Sequence, residues 1–183
     1  FSPDATYPRN MNELDHIWSQ MLSSAEAKAL DSGRHDIAEY LKLKAANDAI
    51  RGEAVRWIFD VFAELTADAA RVRPSIVIES EHPHRFERGT SRMVGSLVRA
   101  RSGVRCLTLE AGWTRTPADG IMRNGALAAA RLTHFGMARA NAELSLIYAG
   151  DLPIWHIEQD SGSRIPFRIA DLHDHVRIFL GEA

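Results

Sequence analysis

Between residues 11 and 30 the apolar side chains fall at Met11, Leu14, Ile17, Trp18, Met21, Leu22 and Ala25. Steps of three and four residues place them on one stripe of a helix. Asn10 or Asn12 is positioned to cap its start, and Ser32-Gly33 to end it. A second helical pattern runs from His35 to about Ala70, with its large apolar residues at the two ends. Ile37, Tyr40 and Leu41 form one group, and Val55, Trp57, Ile58, Val61, Phe62 and Leu65 the other. The stretch 45–49 between them is poorer and is followed by Gly52. As one rod this helix would run about 50 Å. A compact chain of this length has a radius of gyration of about 16 Å. The mismatch predicts a break or kink near Gly52, or else an overhang that pairs with a second subunit.

After Arg73-Pro74 the period falls from 3.6 to two. Residues 75–80 alternate as a strand, and residues 81–89, with His82-Pro83-His84, lead onward as a surface turn or connection. Residues 93–101 and 104–111 are two Val- and Leu-rich runs meeting at Ser102-Gly103, the expected hairpin turn. Neither face of the hairpin is wholly polar, so cover on both sides is expected. Gly95 is expected to leave room for a side chain of a neighbouring element. Residues 112–120 carry Gly112, Pro117 and Gly120 and read as a loop. Residues 124–142 are ambiguous. Seven alanines favour helix, whereas Gly136 weakens it and leaves a strand through residues 132–135 open. Residues 143–149, 154–158 and 164–170 read as further strands joined by short turns, and Asp171 as the cap of a last element over residues 172–180.

Helices first and strands afterwards define an α+β fold, with two or three N-terminal helices packed on a mostly antiparallel, curved sheet. One domain spans residues 1–183, its helical part about 11–70 and its sheet about 74–180. That order is similar to the curved-sheet cone of the nuclear-transport-factor and scytalone-dehydratase type, in which helices close one side of a pocket. The likeness lies in element order alone, so it implies a fold and no function.

Length and composition are those of an ordinary globular domain of 183 residues. The single cysteine, Cys106, excludes an intrachain disulfide framework and points to a reducing, cytoplasmic compartment. No apolar run reaches membrane-spanning length. The first residue is not Met and no apolar signal core follows it, which reads as a trimmed chain or a piece of a longer one. Charge is uneven. Residues 1–70 hold seven Lys and Arg against twelve acids, and residues 71–183 hold fifteen Arg, no Lys and twelve acids. Such a distribution suits an anionic ligand or an acidic partner. It also suits plain pairing between the acidic helices and the basic half. Nucleic acid is not expected as a partner, because no basic run occurs. A homo-oligomer formed through the N-terminal helices is compatible with the long second helix.

No phosphate-binding loop, dinucleotide fingerprint or nucleophile elbow is present. Cys106, within an apolar strand, is expected to be inert core. The leading functional reading is a binding protein for a small anionic molecule or a protein partner, with no cofactor. Trp113 and Arg115 are its preferred contacts, and Arg85, Arg88 and Arg123 supply electrostatic support. The other reading of the Trp loop is a cap, with Trp113 buried and Arg115 solvated or paired with an acid. An enzyme is the alternative. Acid–base chemistry would use His134 with Glu110 or Asp119. Metal chemistry would use the His-x-His pairs His82/His84 and His173/His175, since residues two apart on an extended chain face the same way. On a helix they diverge, and no metal site is favoured.

Overall fold

The computed structural model describes residues 10–182. The irregular start expected of the first ten residues lies outside them, except that Asn10 opens the first helix; the caps expected of Asn10 or Asn12 lie outside the described side chains. Among the described residues the chain forms three α-helices and one seven-stranded antiparallel sheet. α1 spans Asn10–Asp31, α2 His35–Val72 and α3 Ile169–Leu180. The strands are β1 Val77–Arg88, β2 Ser91–Ser102, β3 Arg105–Trp113, β4 Ala128–His134, β5 Ala142–Ala149, β6 Leu152–Glu158 and β7 Arg164–Pro166. They lie in chain order, each paired with the next, and the sheet is not closed.

α2 does not break at Gly52. It is a continuous helix of 38 residues, about 57 Å long. A glycine inside a helix costs only about 1 kcal/mol relative to alanine, and packing on both halves of α2 exceeds that. The overhang is covered by α1, which folds back at Gly33 (φ 69°) and bonds to it through Trp18 and Asp48. The C-terminal half of α2 lays Val55, Ile58, Phe59 and Phe62 on the sheet. There they meet Val98, Ala100, Leu107, Leu109, Leu132, Leu144 and Leu146, while Leu172, Val176 and Phe179 of α3 join the same core.

Several boundaries differ from the sequence reading. β1 starts at Val77 and runs straight through His82-Pro83-His84, absorbing the extra residue in a register shift between Glu81 and His84. The β2–β3 turn falls one residue later than expected. Ser102 pairs with Arg105, and the two turn residues are Gly103 and Val104, with Gly103 at φ 58°. β3 extends to Trp113. The alanine-rich stretch resolves as strand. Ala128, Ala129 and Ala130 are fully or almost fully buried in a central strand, where a thin side chain fits and helix propensity is overridden. β7 has three residues only, because α3 begins at Ile169. Asp171 therefore sits inside the first turn, where its carboxylate accepts the Arg168 backbone N–H at 2.6 Å.

The sheet has a helix side and an open side. Gly95 and Gly112 face each other across β2 and β3, and a Cβ on Gly95 would lie 1.9 Å from the Ala111 carbonyl oxygen. What Gly95 admits is thus neighbouring backbone, not a side chain. This close approach lets the sheet coil sharply toward its open side. Arg88 of β1 donates to the Leu144 carbonyl of β5, four strands away. On a flat sheet those strands would be roughly 19 Å apart, beyond the reach of one side chain, so the open side is concave.

Candidate functional site

The loop after β3 is held by its own residues. Asp119 accepts hydrogen bonds from the Thr116 backbone N–H (2.8 Å), the Thr116 hydroxyl (2.9 Å) and the Arg115 N–H (3.2 Å), closing the short turn Pro117–Asp119. Partial burial pushes the Asp119 carboxyl up, but these donors outweigh it and hold it below the ordinary carboxylate value. Asp119 is a staple of the loop.

Trp113, at 2% exposure, lies in the core, and the Arg115 guanidinium stacks 3.6 Å from its ring centroid. One guanidinium nitrogen of Arg115 pairs with Asp15 of α1 at 2.9 Å. Its Nε and other terminal nitrogen have no partner among the described residues. The Trp113 indole N–H donates to Asp48 of α2 at 3.2 Å, and Trp18 of α1 donates to the other oxygen of the same carboxylate at 2.9 Å. Lys44 (3.3 Å) and Arg51 (2.7 Å) pair with it too. Burial raises the Asp48 carboxyl, yet hydrogen bonds from Trp18 and Arg51 and the charges of Lys44 and Arg51 together bring it below its ordinary value. Asp48 therefore ties α1, α2 and the end of β3 into one joint. It lies in the middle of α2, where large apolar residues are sparse. The spacing Lys44, Asp48, Arg51 is the only sequence signal of it.

Beside this joint a cleft of about 450 Å³ opens between α2 and the loop 114–126. Lys44, Arg51 and Arg115 supply its cations, and Thr114 and Thr116 lie along the loop wall. Tyr40 (61% exposed), Leu43 and Ile121 form an apolar wall open to solvent.

The concave side of the sheet carries a second polar assembly. His84 contacts Glu110 at 2.8 Å, and Glu110 pairs with Arg131 at 2.9 Å. Arg131 also pairs with Glu143. Arg88 lies 2.6 Å from Glu158, which accepts the Ser145 hydroxyl as well. Burial raises the Glu158 carboxyl, but the Ser145 hydroxyl and Arg88 outweigh it, so it stays ionised below the usual range. Arg88 and Arg123 line a smaller pocket of about 240 Å³ with Ser145 and Glu158. Arg123 donates to the Thr90 hydroxyl at 3.0 Å. Arg85 is exposed. The five contacts expected from the sequence thus divide. Arg115 lines the α2-side cleft, Arg88 and Arg123 line the concave-side pocket, and Arg85 lines neither; Trp113 is buried beneath Arg115, which is paired with Asp15, the arrangement the capping reading of the loop expected.

The histidines divide in the same way. The register shift inside β1 breaks the alternation that a His-x-His chelate needs. His82 bonds through Nδ1 to the Gly95 carbonyl (3.1 Å) and the Ser96 hydroxyl (2.8 Å), toward Asp15 and Arg115, while His84 faces Glu110. His173 and His175 lie on α3 and diverge. His175 stacks on His134, with Nδ1 and Nε2 2.9 Å apart. Burial, and then the neighbouring His134, push the His175 imidazole down to about 4, and burial lowers His134 as well. His134 is on the helix side, Glu110 on the concave side and Asp119 in the loop, so these three do not converge. Among the described residues no three His, Cys, Asp or Glu side chains are grouped to hold a metal. Cys106 is half-buried, 3.7 Å from the Thr108 hydroxyl. No helix among the described residues is long and apolar enough to cross a membrane.

No family model, curated protein or solved structure matches this chain, so the likeness of element order noted above has no matching structure behind it.

Proposed function

We infer that this protein binds a small organic anion with an apolar body in the cleft between α2 and the loop 114–126. The observation that carries the reading is the joint lining of that one cleft. Three cations, each of low exposure, stand against an uncovered apolar wall of Tyr40, Leu43 and Ile121. Asp15 and Asp48 neutralise two of the three charges, so one singly charged group, a carboxylate or a singly ionised phosphate, restores balance where two would overfill it. Arg115 supports recognition because its planar fork is already oriented by Trp113 and Asp15, which lowers the ordering cost of a bidentate contact. A volume of about 450 Å³ falls within the size of sites for small ligands.

A thermal-shift and calorimetric screen with octanoate, benzoate and phenyl phosphate, each beside its neutral amide or alcohol, tests this. The anions should bind and the neutral analogues should not. Leu43→Glu, at an exposed position, should abolish the response without altering the melting temperature. Equal binding to wild type and Leu43→Glu would remove the cleft from consideration. Acid–base catalysis is the second reading, supported by the 2.8 Å contact between His84 and Glu110 on the concave side. A catalytic or ligand response lost on His84→Gln and retained in Leu43→Glu would favour it.

A further inference from the structure

Farther along α2, a second cleft has the opposite chemistry. It lies between α2 and the β5–β6 hairpin and holds about 530 Å³. Four aromatic residues bound it: Trp57 from α2, Tyr148 from β5, Trp155 from β6, and Phe167 just after β7. Two of these are buried and fixed. Trp155 donates its indole N–H to the Ala54 carbonyl at 3.1 Å, and Phe167 donates its backbone N–H to the Trp155 carbonyl at 2.7 Å. The other two are open, Trp57 at 39% and Tyr148 at 45% exposure. The charged residues at its rim are Glu53 and Asp151, and no Lys, Arg or His lines it.

We propose that this cleft binds a small organic cation of the quaternary-ammonium class. Aromatic faces carry negative electrostatic potential, and two carboxylates add to it, so the site attracts positive charge. The apolar walls select a cation whose charge is spread over methyl groups. Such an ion loses little hydration on entry, whereas a compact inorganic cation loses much. An anion would meet Glu53 and Asp151 without a counter-charge. The site shares no lining residue with the anion cleft, which draws on Tyr40, Leu43, Lys44 and Arg51 of α2.

The test is a titration of the intact chain with choline and with its neutral isostere 3,3-dimethylbutan-1-ol. The indole N–H resonances report it, with the Trp57 signal identified by its loss in Trp57→Phe. Choline should shift the Trp57 resonance saturably, and the alcohol should bind about tenfold more weakly. The double variant Glu53→Gln, Asp151→Asn should lower choline affinity about tenfold and leave alcohol binding unchanged. Both acids are exposed, so the fold is retained. Equal affinity for cation and isostere would make this an apolar groove only and overturn the proposal. So would the absence of saturation up to about 10 mM choline, a response at Trp113 instead of Trp57, or full choline affinity in the double variant.

Discussion

Lowering the pH from 7 to 5 should cost the folded chain roughly 2 kcal/mol through one imidazole, that of His175. Its ordinary value of 6.5 falls to about 4 in the folded chain, first because α3 buries it and then because His134 lies against it. Asp171 and Asp174 oppose the shift without cancelling it. Above pH 6.5 both states hold a neutral ring and the contribution is close to zero. Between 6.5 and 4 the unfolded chain takes a proton that the folded chain refuses, so stability falls with pH across that window. Linkage with these two values gives about 0.2 kcal/mol of destabilisation at pH 7 and about 2 kcal/mol at pH 5. Urea denaturation at both pH values, on the wild type and on His175→Gln, isolates the effect. Glutamine keeps a hydrogen-bonding group toward His134 and does not titrate. The wild type should lose about 2 kcal/mol more than the variant between pH 7 and 5, or about 4–8 °C in melting temperature. Parallel losses in the two proteins would refute the reasoning, because the other histidines and the carboxylates are common to both.

Asp48→Ala should destabilise by about 3–5 kcal/mol, since it strands two indole N–H groups and the charges of Lys44 and Arg51 in a partly buried joint; denaturant titration measures it, with a red shift of Trp emission. Gly95→Ala should cost about 3 kcal/mol or more, or prevent folding, because its Cβ would overlap the Ala111 carbonyl. Gly52→Ala should do the reverse and stabilise by up to about 1 kcal/mol, as no atom lies within 4 Å of the new Cβ; a loss of stability there would contradict the continuous α2.

Elements whose identity depends on nearest neighbours along the chain were readable without coordinates. The 3.6-residue spacing of Trp18 and Leu22 and the alternation through Val98, Ala100, Leu107 and Leu109 each report a local face turned toward the core, although Ile17, Met21 and Ala25 of the same helical pattern stay exposed. So do the change of period after Pro74 and the turn at Gly103. These suffice for two N-terminal helices on an antiparallel sheet. They do not suffice where local preference and packing disagree. Ala128–Ala130 prefer helix in isolation, but the sheet needs thin side chains in a central strand, and burial there outweighs a few tenths of a kcal/mol per residue. Gly52 weakens a helix locally, yet α1 and the sheet hold α2 on both halves.

The candidate sites show the same division more sharply. Residue types announced chemistry, with arginines in excess, a Trp beside an Arg, and paired histidines, but pairing is a long-range property. Asp15 reaches Arg115 across 100 positions, and Asp48 reaches Trp113 across 65. One register shift turns His82 and His84 apart. The coil of the sheet at Gly95 and Gly112 brings Arg88 to β5 and β6, a contact with no trace in local sequence. Composition established how many charges the chain carries; the meeting of distant segments settled which of them are neutralised, since electrostatic and hydrogen-bond energies depend on separation in space rather than along the chain.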